Sequence, residues 1–268
     1  MISTKTGIIA TSLCLATAGV QADTLDIVRS SIGAAIPMES SEDDAGTYWD
    51  FGVAANFLDD VDIKNVSLGN NPFVIQDGKI NYHTGINFEA AFGIPIARSL
   101  AIEISTGLAY NEIDSVRGQW ISNSGSVDVV AGGDGHALQI PVVAELAWTI
   151  YDNNTFQVGL HAGGGIQWTD MDVNGVYSAT GGPTGDTATL SGNGFTFRYQ
   201  FGVECLFKIS SNMHFGATCM YAGTTQSKHG TTTFSSTDDN GQSVIATEDF
   251  RTRSLQNLVL GINLRIEF

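Results

Sequence analysis

The sequence is short of charge, of proline and of long apolar runs. Only 15% of its 268 residues are charged and only 5 are proline, whereas 31 are glycine. Positive charge is scarcest, with 12 Lys and Arg against 28 Asp and Glu and a formal net charge of −16. This balance argues against a nucleic-acid partner, because a surface that binds nucleic acid must neutralise phosphates. It is compatible with divalent cations, basic partners or well-solvated loops.

One long apolar run is present, at the amino-terminus. Lys5 precedes an apolar stretch from Gly7 to Val20, and Val20-Gln21-Ala22 ends on small residues suited to cleavage. This pattern predicts an export signal over residues 1–22. No later stretch has eighteen consecutive apolar residues, so the sequence predicts no membrane-spanning helix. If the chain spans a membrane, it must do so as a closed barrel, because lipid offers no partner to unpaired backbone groups.

The carboxy-terminal stretch Ser254–Phe268 alternates between apolar and polar residues. From Leu258 onward every second residue is apolar, and the chain stops on the aromatic Phe268. The residues between them are mostly polar or small. A period of two indicates a strand with one face in an apolar medium and the other in a wet or packed one.

The same alternation occurs in seven further segments. The eight predicted strands are Thr47–Leu58, Asn81–Gly93, Leu100–Ile113, Ala137–Thr149, Thr155–Thr169, Phe195–Phe207, Met213–Gly223 and the terminal stretch. Turns of about five residues alternate with long polar connections, which is typical of barrels in the outer membrane. The predicted fold class is therefore all-β: a transmembrane up-and-down antiparallel β-barrel of eight strands, with long extracellular loops and short periplasmic turns.

Aromatic residues on the apolar parity form two sets. The set nearest the short turns is Trp49, Phe92, Trp148, Phe156, Phe207, Phe215 and Phe268. The set nearest the long loops is Phe57, Tyr82, Tyr110, Trp168, Phe197 and Tyr221. On most strands the separation matches the roughly 9 to 11 residues that a tilted strand needs to cross the hydrocarbon. Two aromatic belts are expected where a barrel meets the two membrane interfaces.

The chain resembles the eight-stranded outer-membrane barrels typified by the transmembrane domain of outer membrane protein A and by the opacity-type surface proteins. The resemblance covers Thr47–Phe268 and rests on the strand number, the alternation of loops, Leu138-Gln139-Ile140-Pro141 in the fourth strand and the terminal Phe268. In that family the last residue is typically Phe and serves as an assembly signal, a role that the resemblance implies for Phe268. A peptidoglycan-binding carboxy-terminal domain is not expected.

Pattern and resemblance together divide the chain into a signal peptide at 1–22, a periplasmic leader at 23–46 and an outer-membrane β-barrel at 47–268. The expected location is the bacterial outer membrane. Expected partners are outer-membrane lipid, the barrel assembly machinery, and an external protein or host ligand bound through the loops; no cofactor and no nucleic acid are expected. The predicted role is structural or surface recognition through four long acidic loops. A narrow low-conductance channel for small ions or solutes and a lipid-modifying enzyme are the alternatives.

Charged residues on the inward parity form the candidate site. They are Glu89, Glu103, Glu145, Arg198, Glu204 and Arg265. The four glutamates each lie about four to six residues from a short turn, so we expect them at similar depth, subject to the stagger of the barrel. Charges in a narrow lumen must pair or stay hydrated. We interpret the cluster as a structural salt-bridge plug; the alternative is a narrow gate whose Arg–Glu pairs exchange partners to admit small ions.

Other chemistry-bearing residues give weaker signals. His161 faces inward, and His83 and His136 lie near loops with no local motif, so no catalytic residue is predicted. The acidic clusters at residues 59–62 and 238–239 lack a full calcium-loop pattern, and no metal site is predicted.

Two remaining predictions concern strand geometry. Cys205 and Cys219 share the apolar parity of neighbouring strands; we favour two small lipid-facing residues, with a cross-strand disulfide as the alternative. Pro141 predicts a bulge or bend in the fourth strand.

Overall fold

The computed structural model describes residues 46–63, 66–67, 74–122, 125–132, 134–176, 187–237 and 243–268. The expected signal peptide at 1–22 and the leader, up to residue 45, lie outside these ranges. Within them every regular element is a β-strand, and no helix has the length and apolar character needed to cross a membrane.

Fourteen strands follow one another along the described chain. They are β1 (Tyr48–Leu58), β2 (Val61–Asp62), β3 (Val66–Ser67), β4 (Val74–Tyr82), β5 (Gly85–Ala97), β6 (Leu100–Ser122), β7 (Gly125–Gly132), β8 (Asp134–Asp152), β9 (Phe156–Val176), β10 (Thr187–Lys208), β11 (Met213–Thr224), β12 (Ser227–Thr237), β13 (Ser243–Thr252) and β14 (Gln256–Glu267).

Eight of these strands form a closed barrel. β1, β5, β6, β8, β9, β10 and β11 pair in succession, and β14 pairs with both β11 and β1. All the pairings are antiparallel. Closure removes the unpaired edges that an open sheet would present. The predicted all-β, eight-stranded antiparallel barrel is confirmed.

The barrel is apolar outside and polar inside. On β1, Trp49 and Phe51 are 42% and 47% exposed, whereas Asp50 between them is 8% exposed. The same alternation exposes Ile104, Leu146, Ile166 and Phe201 on other strands. Aromatic rings pack across neighbouring strands near the short turns, with centroids 5.1 Å apart for Trp49 and Phe92 and 5.2 Å apart for Phe156 and Phe207. This inverts the arrangement of a soluble barrel, whose apolar face is hidden inside.

Several barrel strands continue well beyond the predicted ends. β6 has 23 residues, β9 has 21 and β10 has 22. β4 pairs with the far part of β6, and the β12–β13 hairpin is joined to β10. We call β2, β3, β4, β7, β12, β13 and the adjoining long ends of the barrel strands the extension. The sequence predicts much of this region as loop, because the period of two is interrupted there: Ser115 and Val116, which are adjacent on β6, are both buried.

Tyr82 does not join the upper aromatic belt, contrary to the prediction. Register shifts occur between Gln76 and Lys79 and between Asn81 and Tyr82. The Tyr82 hydroxyl lies 3.7 Å from the Sδ atom of Met171, which is fully buried. A shift in the pairing register moves the following side chains to the opposite face of the strand. Counting alternate residues back from β5 through this segment therefore predicted the wrong face for Tyr82.

Pro141 causes no shift in strand register, so the bulge that the sequence predicted as one alternative is absent; the other alternative, a local bend, stays a prediction. Thr106 pairs with Val142 and Ala109 with Gln139, so β6 and β8 keep one register on both sides of the proline. The register shift of β8 lies instead between Thr149 and Tyr151, near its end. Thr106 donates a hydrogen bond of 2.8 Å from Oγ1 to the Pro141 carbonyl oxygen, which gives this carbonyl a partner where no ladder pair occurs.

Candidate functional site

The structure directs all six predicted charged residues into the barrel. Glu89 lies on β5, Glu103 on β6, Glu145 on β8, Arg198 and Glu204 on β10, and Arg265 on β14. Five of them are between 3% and 6% exposed, and Glu89 is half-buried. Strand alternation places them inward, and the register brings them together from five strands.

Arg265 is the centre of the lower part of the lumen, toward the short turns. Its Nη2 atom lies 2.7 Å from Glu204 Oε2, 3.1 Å from Asp50 Oδ2 and 3.5 Å from Glu103 Oε1. Its guanidinium carbon is 4.2 Å from the centroid of the Tyr48 ring, within cation–π range. One guanidinium thus pairs with three carboxylates from three other strands.

His161 adds a second positive centre to this group. Its Nδ1 atom lies 3.0 Å from Glu103 Oε2 and its Nε2 atom 3.3 Å from Glu204 Oε2. Both ring nitrogens face carboxylates, an arrangement in which the imidazolium form donates two hydrogen bonds. Tyr48 donates to Glu103, and Asn263 donates to Asp50 and to Glu204.

Four members of this network were absent from the predicted cluster. They are Tyr48, Asp50, His161 and Asn263. Inward parity was available as a signal for Asp50, His161 and Asn263, but their contacts depend on a register that the sequence does not specify.

Arg198 lies in a separate, higher layer, and its partners are amides. Its Nε atom donates a hydrogen bond of 2.7 Å to Gln200 Oε1, and its Nη1 atom donates one of 2.6 Å to Gln167 Oε1. Gln200 in turn donates 2.8 Å to Glu145 Oε1. No direct ion pair between Arg198 and a glutamate occurs among the described residues. Arg–Glu pairing, which both predicted roles of the cluster assumed, therefore occurs at Arg265 and not at Arg198.

Glycines make room for these long side chains. Glu89 lies opposite Gly52 and Gly107, and Glu145 lies opposite Gly163. A Cβ atom at Gly163 would overlap the Ala144 carbonyl oxygen and come within 2.5 Å of Glu145 Cγ. An eight-stranded interior is just filled by side chains, so a large side chain on one strand requires a small one on its neighbour.

A cavity of about 40 Å³ remains between the two layers. Its lining includes five acids, Asp50, Glu89, Glu103, Glu145 and Glu204, together with His161 and apolar side chains such as Ala91 and Met220. Glu145 Oε1 accepts hydrogen bonds from Ser105 and Gln200, but Glu145 Oε2 is buried without a hydrogen-bond partner. Glu89 makes no hydrogen bond or ion pair with another described residue.

Above the charged layers the lumen is filled by amides and then by apolar side chains. Asn257 donates a hydrogen bond of 2.9 Å to Gln139 Oε1, and Asn56 donates one of 2.5 Å to Asn111 Oδ1. These four residues are at most 3% exposed. Farther along the axis, the fully or almost fully buried apolar residues are Ile80, Ile113, Val116, Met171 and Val173. At the opposite end Tyr48, Ala101 and Ala147 form an apolar cluster. The interior is therefore packed with side chains along its length.

The acidic residues after β1 are engaged by bases in the extension. Asp60 lies 2.8 Å from Lys79, a hydrogen bond that raises the pKa of Lys79. Asp62 lies 3.2 Å from Arg253. Burial, and then the neighbouring Asp60 carboxylate, raise the pKa of Asp59. Across the described ranges, no three His, Cys, Asp or Glu side chains are arranged to hold a metal ion; residues 238–239 lie outside those ranges.

Two histidines and two cysteines that the sequence singled out lie outside the charged network. His83 lies 3.4 Å from Asp114, and the His136 ring stacks on Tyr110 at 5.6 Å. Cys205 pairs with Ala217 and Cys219 with Val203, so the cysteines are two positions out of register, and both are thiols.

The terminal Phe268 is 74% exposed, and its backbone nitrogen donates 2.9 Å to the Thr47 carbonyl oxygen. The last residue of the chain is thus hydrogen-bonded to the residue that precedes β1. Its role as an assembly signal stays a prediction.

Comparison with known proteins finds similarity in structure alone. No family model matches the chain, and no curated protein matches it. Among solved structures, the outer membrane protein OprG of Pseudomonas aeruginosa is 12% identical, with 84% of this chain and 97% of that chain covered and a TM-score of 0.46. The outer membrane protease OmpT of Escherichia coli is 11% identical, with 86% and 99% covered and a TM-score of 0.44.

The attachment invasion locus protein Ail of Yersinia pestis is also similar. It is 14% identical, with 82% of this chain and 99% of that chain covered and a TM-score of 0.37.

Proposed function

We propose that this protein is an outer-membrane barrel with a closed lumen that holds a rigid, acidic β-structured platform at the cell surface for recognition of an external partner. The observation that supports this proposal most strongly is that the barrel strands are longer than the band of exposed apolar side chains around the outside of the barrel. On β9 the outward aromatics Phe156 and Trp168 span the band, and the strand continues to Val176. Eight further residues correspond to about 25 Å of strand, which extends beyond the hydrocarbon.

The exposed apolar surface supports the membrane location. Every barrel strand has exposed apolar side chains on its outward face, including Phe88, Ile104, Ile166 and Phe201 at 49% to 58%. A surface of this extent in water would drive association, whereas lipid solvates it. The short turns and the long segments lie at opposite ends, so the extension is placed on one side of the bilayer.

Charge supports a basic partner. Each of the four long segments, at residues 59–84, 111–136, 170–194 and 225–255, has more Asp and Glu than Lys and Arg. A platform of one sign speeds encounter with a partner of the other sign and makes binding depend on salt. Ordered strands lower the entropy that loops would lose on binding.

Cysteine labelling of intact cells tests the placement. In a Cys205→Ala, Cys219→Ala background, Lys228→Cys marks the extension and Ser210→Cys marks a short turn. We expect a membrane-impermeant maleimide to label Lys228→Cys in intact cells and Ser210→Cys only after the outer membrane is opened. Equal labelling of both in intact cells, or recovery of the protein in the soluble fraction, would contradict the placement.

Binding assays test the recognition role. We expect intact cells that display the parent protein to bind a Lys- and Arg-rich polypeptide, and binding to fall as salt is raised. A variant in which residues 228–251 are replaced by a short turn should keep the barrel and lose much of this binding. An uncharged polypeptide of equal length is the control. Equal binding by cells with and without the protein would contradict the role.

A narrow low-conductance channel is the second candidate, and the internal cavity favours it. In that case purified protein in a planar bilayer would give reproducible conductance that Glu103→Gln or Arg265→Ala alters. The packed lumen leads us to expect none. The third candidate, a lipid-modifying enzyme, would be revealed by a change in the mass spectrum of lipid A on expression.

A further inference from the structure

We propose that the lumen cavity between Glu89 and Glu145 binds one small, partly hydrated alkali cation. The site is distinct from the surface platform, and the inference does not depend on the recognition role. It rests on an imbalance of buried charge, an unpartnered carboxylate oxygen and a space of suitable size.

The buried charges do not balance within the lumen. In the lower layer, Arg265 and the imidazole of His161, whose two ring nitrogens both face carboxylates, oppose three acids, Asp50, Glu103 and Glu204. In the upper layer, Arg198 is the base, and Glu89 and Glu145 are the acids. Each layer therefore has one more carboxylate than base. Isolated buried charge is costly, so a proton or a cation must neutralise the excess.

The strand register concentrates the excess negative charge at Glu145. Glu145 on β8 lies directly opposite Glu103 on β6, and directly opposed like charges destabilise a sheet. Glu103 is compensated by Arg265 and His161. Glu145 receives only neutral donors at Oε1, and its buried Oε2 atom has none. The upper layer is where a further positive charge is needed.

The cavity has the size and lining for such an ion. Its volume is about 40 Å³, and a water molecule needs roughly 10 to 15 Å³ on this measure. An ion with one or two waters therefore fits, and a large organic ammonium such as N-methyl-D-glucamine does not. Hard cations prefer oxygen ligands, which Glu89 and Glu145 supply.

The ligand set favours a monovalent ion. No group of three acidic or histidine side chains converges as a metal site in the described chain. A divalent ion held by the protein usually requires more carboxylates or carbonyls than two. A hydrated alkali ion needs counter-charge and a few oxygens, which is what the cavity offers.

Thermal unfolding in different chloride salts tests the site. The full-length mature protein is refolded into detergent micelles in sodium, potassium or N-methyl-D-glucamine chloride at equal ionic strength and pH. We expect the unfolding midpoint to be several degrees higher in sodium or potassium than in N-methyl-D-glucamine. Equal midpoints, or midpoints that change with pH but not with the cation, would show that a proton neutralises the lumen and would overturn the proposal.

Three variants locate the effect. Glu145→Gln should abolish the difference between salts. Gly52→Ala retains both carboxylates and adds a methyl group that fills part of the cavity. Its Cβ atom would meet no atom closer than 3.6 Å, so the change causes no clash. This variant should also abolish the difference between salts. Asp152→Asn removes an exposed carboxylate of a short turn and should leave the difference intact.

The variants also keep the proposal open to refutation. If Glu145→Gln does not fold, Gly52→Ala decides, because it leaves the charges unchanged. Persistence of the full salt difference in Gly52→Ala, or its loss in Asp152→Asn, would contradict the site. Crystals grown in rubidium chloride should show an anomalous peak next to Glu89 and Glu145, and a cavity without that peak would count against it.

Discussion

Glu103 and Glu145 lie directly opposite each other on β6 and β8, with both carboxylates buried, yet their partners differ completely. Glu103 contacts Arg265, His161 and the Tyr48 hydroxyl. Glu145 contacts only neutral donors. The lumen is thus two layers with different ways of stabilising an acid.

Arg265→Ala should destabilise the barrel strongly. It removes the guanidinium and leaves three buried carboxylates short of positive charge, and breaking a buried pair in this way costs about 3 to 5 kcal/mol. Urea unfolding in lipid vesicles measures the change. Arg253→Ala is the matched control, because its ion pair with Asp62 is exposed and such pairs contribute about 0 to 1 kcal/mol. Equal losses in both variants would contradict the central role of Arg265.

Two glycine variants should have opposite effects on stability. Gly163→Ala forces a methyl group against the Ala144 carbonyl and Glu145, and overpacking of this kind costs about 1 to 3 kcal/mol. Gly52→Ala meets only ordinary contacts and, where the cavity is empty, should stabilise by about 0.4 to 1 kcal/mol through the unfolded state. The comparison is made by urea unfolding in N-methyl-D-glucamine chloride. A larger loss in Gly52→Ala than in Gly163→Ala would show that the inferred spaces are wrong.

Thr106→Val tests the hydrogen bond that replaces a ladder pair beside Pro141. Thr106 faces outward, and its hydroxyl supplies the partner of the Pro141 carbonyl. Its loss leaves that carbonyl unsatisfied, which costs about 1 to 3 kcal/mol. Thr106→Ser keeps the hydroxyl and should retain most of the stability in the same unfolding measurement. If the two variants unfold alike, the hydrogen bond contributes nothing.

The extension should open as pH falls. His229 on β12 is fully buried, with Nε2 2.8 Å from Thr252 Oγ1, and burial lowers its pKa from 6.5 to about 4. Because the folded pKa is the lower one, stability is complete above about 6.5, falls as pH drops toward about 4, and loses at most about 3 kcal/mol. Amide exchange in β12 and β13 at pH 7 and pH 4.5 measures this loss. His229→Gln should remove the pH dependence, and unchanged protection of the parent at pH 4.5 would refute it.

The sequence predicted the barrel better than its surroundings, for a physical reason. An exposed apolar outer face and a polar lumen give the strands the period of two that reveals β1 or β14. In the extension the alternation is interrupted, as at Ser115 and Val116, which are adjacent and both buried, so the 23 residues of β6 look like a strand followed by a loop. Tyr82 shows the related failure, because one irregular ladder exchanges the two faces.

Within the site, the alternation along each strand predicted which side chains face the lumen but not which of them contact one another. Glu204 and Arg265 were both expected to face inward, and the register determines that they lie 2.7 Å apart. Arg198 was predicted only to face inward as part of the charged cluster, and its partners are Gln167 and Gln200. Such choices depend on how eight staggered strands align, which no single strand encodes.

The position of Arg265 on β14 links charge neutralisation to the order of assembly. β14 follows every other barrel strand along the chain and inserts between β1 and β11. Until it does, Asp50 on β1 and Glu204 on β10 lack their guanidinium partner. A sheet without β14 would leave these two carboxylates without a shared cation, so β14 both completes the hydrogen-bond ladder and compensates their charge.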